Sequence, residues 1–275
     1  MYIKENFIFD DEGRTLILRG VNLGGDCKIP YCKPGEEVLP EFLDKKTDVS
    51  FIGRPFPLED AKDHFCRLKK AGMTFLRFLI TWEAVEHDGP GIYDEAYLAY
   101  LRKILLIAEE EGISIFIDTH QDVWSRWTGG DGAPSWTMEK LGMNLEVADR
   151  CGAALTRQRY STINGKPYPK MIWPGNYNRY AAATMFSLFF AGRTYAPDLK
   201  IEGKNIQDYL VDHYIAALKH VKRRLKNCAA IAGWGVMNEP HYGFIGLENL
   251  ETADDYMIPV GPRISPWQAM QSASG

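Results

Sequence analysis

The chain has 275 residues, 45% of them hydrophobic and 25% charged, enough apolar material for a substantial core and unlike the composition of a disordered tail. Lys and Arg number 32 against 36 Asp and Glu, a formal charge of -4 with no basic run to neutralise a row of phosphates, which excludes nucleic acid as an expected partner and favours a neutral substrate.

The elements follow in chain order. Residues 3–9 and 15–21 are β-type runs flanking Asp10-Asp11-Glu12-Gly13, which predicts a hairpin over residues 3–21 leading into a first core strand from Thr15 to Asn22. Leu58 to Ala71 reads as a helix with Ala61, Phe65 and Leu68 on one face and Gly72 as its stop. A second strand, Thr74 to Thr81, follows at once. Asp94 is placed to cap a helix through Glu111 whose Leu98, Leu101, Leu105 and Ala108 recur at three- and four-residue steps; Gly112 closes it and Ile113 to Thr119 forms strand three. Asn205 caps a further helix to about Lys226, with basic residues in its last turns where the helix dipole favours them, and Ala230 to Met237 forms strand four. Short apolar strands alternating with amphipathic helices are the pattern of a parallel α/β sheet.

Each strand ends in polar residues: Asn22, then Trp82-Glu83, then His120-Gln121-Asp122, then Asn238-Glu239. In a barrel these ends share the rim on which active sites are built. Two long rim insertions, residues 23–56 and 121–204, stand over the same rim. Pro240 cannot extend a ladder, so strand four stops there and presents the carboxyl group of Glu239 at its tip, where a general acid/base belongs.

With those residues in view, Arg19-Gly20-Val21-Asn22, Arg77, His120 and Asn238-Glu239-Pro240 resemble glycoside hydrolase family 5 in both order and strand position. The Gly20 to Gly25 run, Lys28-Ile29-Pro30, His120 to Arg126, Gly129 to Trp136 and Met237 to Tyr242 resemble its branch of endoglycoceramidases and fungal glucosylceramide and steryl-glucoside β-glucosidases.

The resemblance implies a (β/α)8 TIM barrel, of which this chain supplies about the first half as the N-terminal part of one catalytic domain over residues 1–275. It further implies a retaining β-glycosidase of lipid glucosides, with a carbohydrate or glycolipid substrate and no cofactor. Glu239 is implied as acid/base and Asn238 as the partner of the sugar 2-hydroxyl. His120, Asp122 and Lys28 are implied as holders of glucose hydroxyls, and Trp173 as an aromatic wall. Arg77 is implied as the arginine that orients the nucleophile. A packed histidine and a structural salt bridge are the plain alternatives for His120 and Arg77.

His120-x-Asp122 lacks a third ligand at convincing spacing, so no metal site is expected. The Gly129-Gly130-Asp131-Gly132 cluster lacks the Lys-Ser/Thr of a phosphate loop and reads as a flexible sugar-site loop. Met185 to Phe190 reads by default as a buried helix; with Trp124, Trp127 and Trp136 it is also a candidate apolar pocket for the aglycone.

The nucleophile that such a resemblance implies follows a seventh strand, whereas the fourth strand here ends at residue 237. Glu248 and Glu251 lie in the loop just after Glu239 without strand context. The chain alone is therefore expected to be inactive and to associate through exposed half-barrel edges. An endo-acting β-glucanase or endoglycoceramidase, and a non-catalytic carbohydrate-binding protein, stay open as alternatives. No apolar stretch long enough for stable membrane insertion and no signal-like opening are present, and Cys27, Cys32, Cys66, Cys151 and Cys228 show no C-x-x-C pair, so reduced thiols and a cytoplasmic location are expected.

Overall fold

The computed structural model describes residues 1–164, 168–253 and 264–274, with the backbone alone described at 161–164, so part of the 121–204 insertion lies outside the described residues. The chain opens with a tight antiparallel hairpin of β1 (Tyr2–Lys4) and β2 (Phe7–Phe9). The hairpin is smaller than expected. It turns at Glu5, whose φ is 55°, and the Asp10–Gly13 turn leads only to a single bridge between Phe9 and Thr15.

Four parallel strands form the main sheet: β3 (Asn22–Leu23), β4 (Phe75–Thr81), β5 (Ser114–His120) and, beyond a small ribbon of β6 (Lys200–Ile201) and β7 (Lys204–Asn205), β8 (Ile231–Trp234). Their order is β3-β4-β5-β8, each next to its predecessor, as sequential right-handed crossovers require in a barrel. The first strand is thinner than the expected Thr15 to Asn22. Arg19 O and Val21 O accept from the amides of Thr74, Phe75 and Arg77, so residues 19–21 run along β4 on one side while only Asn22 and Leu23 reach ladder geometry. Gly20 is required there: a Cβ at this position would lie 1.3 Å from Phe75 O.

The helices form where capping and periodicity place them. The Asp94 side chain accepts from Tyr97 N at the start of helix Glu95–Glu110, and Asn205 accepts from Gln207 N at the start of helix Ile206–Arg224. A third helix, Ala61–Lys70, follows β3. Phe65, Leu98, Leu101, Leu105 and Leu210 pack with Leu76, Phe78, Ile115 and Ile117 in one buried cluster. Because strand side chains alternate, Arg77 on β4 and Phe116, Asp118 and His120 on β5 point to the opposite face, the barrel interior. There Phe116 meets Gly233 of β8, where an added Cβ would come within 3.0 Å of its ring.

The Met185–Phe190 segment belongs to helix Tyr180–Tyr195, and its default reading holds. Trp124 packs edge-on against Phe186 and Phe189, and Trp82 joins Trp124 to Trp136. Trp124, Trp127 and Trp136 are buried, their indole N–H groups donating to Thr137 Oγ1, Leu43 O and Glu86 O at 3.2, 2.9 and 2.7 Å. These rings are core, not the expected aglycone wall: large aromatic surfaces are stabilised most by mutual burial once each polar N–H has a partner. All five cysteines are free, and among the described residues no helix is long and apolar enough to cross a membrane.

Candidate active site

β5 ends at His120 opposite Thr81, and the chain beyond β8 keeps pairing with it: Gly235 N donates to Ile117 O at 2.7 Å and Asn238 N to Thr119 O at 2.9 Å. The strand tip thus carries Asn238 to the level of His120 before Pro240 ends the run. Gln121 clamps this tip. Its Nε2 donates to Asn238 O at 2.7 Å and Glu239 O at 2.9 Å, while Asn238 Nδ2 donates back to Gln121 O at 2.9 Å. Glu239 has φ 39°, a left-handed backbone that costs a non-glycine residue about 1–3 kcal/mol, and the clamp on its carbonyl helps hold it there. Its side chain is exposed on the rim.

The interior face below carries an alternating chain of charges. Arg77 donates to Asp118 at 2.8 Å and to Asn238 Oδ1 at 2.6 Å, and lies 3.4 Å from Asn22 Oδ1. His120 Nδ1 meets Asp118 at 2.8 Å and its Nε2 faces Asp122 at 3.4 Å. Lys28, delivered by the turn Gly25–Lys28 in the first insertion, bonds Asp122 and lies 3.8 Å from Asp131. Burial disfavours the charged form of His120, but hydrogen bonds to Asp118 and Asp122 outweigh it and lift its pKa to about 9, so the ring is an imidazolium at neutral pH. Burial likewise opposes the charge on Lys28, and its acidic surroundings, with the bonded Asp122 nearest, more than offset it and raise its pKa.

Arg77, His120, Asp122, Lys28, Asn238 and Glu239 are therefore brought together as expected by one rim. Trp173 makes none of these bonds but faces the same cavity as Lys28 and Asp122. It is half-buried at the start of the turn Trp173–Asn178 and lines a cavity of about 600 Å³ shared with Lys28, Asp122, Asp131, Arg126 and Tyr168.

Two residues take other roles than their positions suggest. Glu83, at the end of β4, is fully buried and pairs with Arg126 at 2.7 Å; Arg126 also donates to Phe42 O and Lys45 O and stacks on Trp127 at 3.8 Å. This rim carboxylate ties the two insertions together and leaves the sugar site to its neighbours. Asp131 was absent from the expected set, although the glycines around it mark a close backbone approach. It is buried and paired backbone to backbone with Asp122, with both amide-to-carbonyl distances at 3.0 Å. The loop is not a flexible one: a Cβ on Gly130 would lie 2.0 Å from Asp122 O.

His120, Asp122 and Asp131 bring ligand-type atoms within 4.8 Å of one another, the third ligand that spacing did not reveal. The donor chemistry fits a cation poorly. Both ring nitrogens of His120 face carboxylates and carry protons, leaving no lone pair for a metal, and the Lys28 ammonium already occupies the carboxylate side.

Known proteins resemble this chain over most of its length. The chain is 44% identical over 271 residues to a glucosylceramidase of Rhizopus delemar, covering 97% of this chain and 39% of that protein. It is 40% identical over 264 residues to the ergosteryl-β-glucosidase of Saccharomyces cerevisiae, covering 88% and 34%. Sterylglucosidase 1 of Cryptococcus neoformans superimposes with a TM-score of 0.91 at 38% identity, over 97% of this chain and 39% of that one. The chain thus spans about two fifths of the length of these relatives, and its sheet corresponds to the first part of their barrel. Residues 41–246 match the cellulase family, and the chain belongs to glycosyl hydrolase family 5.

Proposed function

We propose that this chain carries the acid/base half of the active site of a retaining β-glucosidase acting on lipid glucosides. The observation that carries the reading is Glu239 at the β8 tip, clamped by Gln121, beside Asn238, whose amide is shared by Arg77 and Gln121. Glu239 gives its proton to the glycosidic oxygen as the bond to the anomeric carbon breaks, and the electron pair leaves with that oxygen. A carboxylate supplied from outside these residues forms the new bond to the anomeric carbon. Glu239 then takes a proton from water, which displaces the carboxylate and releases the sugar. Asn238 bonds the 2-hydroxyl and Lys28 and Asp122 bond the remaining hydroxyls, joined by His120 through its Nε2–H, whose contact to Asp122 at 3.4 Å is the looser of its two. Asp118 and Asp122 are each committed to cations, and Glu248 and Glu251 are exposed loop residues, so none of the four suits the nucleophile.

A lipid aglycone leaves on the side of the acid. A second cavity of about 600 Å³ lies there, lined by Ala183, Tyr242, Phe244, Ile245, Leu247 and Pro266. Tyr242 is three residues from Glu239, within about 11 Å along the chain. Phe244 N donates to Ser187 Oγ at 2.7 Å, seating this loop on helix Tyr180–Tyr195. This cavity meets helix Tyr180–Tyr195 at Ala183, and none of the residues from Met185 to Phe190, the segment expected to line it, does so.

The complete reading frame containing this chain should release free glucose from glucosylceramide or a steryl glucoside. Phe244→Ser should raise KM for those lipids far more than for p-nitrophenyl β-glucoside. Release of an oligosaccharide would favour the endo-acting alternative, and sugar binding without turnover would favour a carbohydrate-binding protein.

A further inference from the structure

We propose that Asp131 is a positioning residue held as a neutral carboxylic acid, donating its proton to Asp122 and so fixing the Asp122–Lys28 pair for sugar hydroxyls; this rests on the sugar-site reading above.

The backbone forces the two carboxyl groups together. Asp122 and Asp131 face each other across an antiparallel bridge, which sets their Cβ atoms about 5 Å apart. The loop cannot swing Asp131 away, because its neighbours are pinned: Cβ atoms on Gly130 and Gly132 would lie 2.0 Å from Asp122 O and 2.5 Å from Gln121 Cβ. Two carboxylates this close in a buried site do not both ionise, since each charge opposes the other without water to screen it.

The partners decide which one keeps the proton. Asp122 bonds Lys28 and faces the imidazolium of His120 at 3.4 Å. The Asp131 side chain is 3% exposed, lies 3.8 Å from Lys28, and its Oδ1 has no hydrogen-bond partner. Arg126 lines the same cavity, but its guanidinium is committed to Glu83, Phe42 O and Lys45 O. Lys28, His120 and Asp122 are therefore the charged groups that act on Asp131. Their effects agree with the geometry: burial and the Asp122 charge raise the Asp131 pKa well above its ordinary 3.8, whereas for Asp122 the bonds to His120 and Lys28 outweigh burial and lower it.

A neutral Asp131 makes a signed prediction. An acid whose folded pKa is raised resists ionisation in the folded state, so it withdraws stability progressively as pH rises above about 4. Asparagine keeps a donor toward Asp122 and cannot ionise. In the complete reading frame, the Tm of Asp131→Asn minus that of wild type should therefore grow more positive from pH 4.5 to 8. A difference that is flat or shrinks with pH overturns the proposal.

With p-nitrophenyl β-glucoside, Asp131→Ala should raise KM about tenfold and Asp131→Asn should recover most of that loss. Equal losses in both variants overturn it. The Tm series stands even if the wild type shows no glucosidase activity, an outcome that would count against the proposed function alone. Should neither variant fold, the infrared band of a protonated aspartate in wild type at pH 7 supports the proposal, and its absence refutes it.

Discussion

The imidazolium of His120 makes the fold sensitive to mild alkali. Its pKa stands at about 9 against an ordinary 6.5, because the hydrogen bonds to Asp118 and Asp122 outweigh the opposing effect of burial. A group whose folded pKa is raised adds stability that is complete below the unfolded value and is lost as pH climbs through the folded one, here between pH 6.5 and about 9. A shift of two to three pH units corresponds to roughly 3 kcal/mol. The ring is buried to 5% exposure, so solvent screening removes little of this. Urea denaturation of the complete reading frame at pH 6, 7.5 and 9 should therefore show wild type losing on the order of 3 kcal/mol across the series. His120→Gln, less stable at pH 6, should lose that much less over the same range, so the two curves converge toward pH 9. Asp118→Asn should move the convergence to lower pH by removing the closer carboxylate. Parallel curves for wild type and His120→Gln would refute the reasoning and make His120 a neutral, packed histidine.

Other outcomes follow from single contacts. Arg126→Met should destabilise the protein by about 3–5 kcal/mol in urea denaturation, because it leaves the Glu83 carboxylate buried without its cation. In the complete reading frame Gly20→Ala should prevent soluble folding, measured as loss of soluble protein on expression, since its Cβ would overlap Phe75 O. Lys28→Met should raise KM for aryl glucosides at least about tenfold with a smaller change in kcat, as expected for a residue that binds hydroxyls in ground and transition states alike.

The legible parts of the molecule were those written locally. The caps Asp94 and Asn205 and the leucine spacing of helix Glu95–Glu110 lie within a few residues of what they control. Asn238 and His120 were readable because strand ends in a parallel barrel share one rim, which turns a position in the chain into a position in space, whereas Arg77, inside β4, was marked only by the family resemblance. Asp131 was hidden because its partner Asp122 is joined to it by a bridge, and nothing in Gly-Gly-Asp-Gly says which strand the loop folds back upon. Gln121 was passed over for a similar reason: its value lies in reaching two carbonyls more than a hundred residues away. Glu83 looked like a site residue by position, yet its side chain points where Arg126 can reach it. The tryptophans were misread because aromatic density alone does not separate a pocket wall from a core; the filled indole N–H groups do.

The central claim is that Glu239 is the acid/base, and leaving-group dependence tests it most directly. In the complete reading frame, Glu239→Gln should reduce kcat/KM for a steryl glucoside by about 10²–10⁴, the range for lost general acid catalysis. With 2,4-dinitrophenyl β-glucoside, whose leaving group departs without a proton, the same substitution should spare bond cleavage and slow only the hydrolysis of the intermediate, giving a burst of dinitrophenol. Equal losses on both substrates with no burst would contradict the assignment.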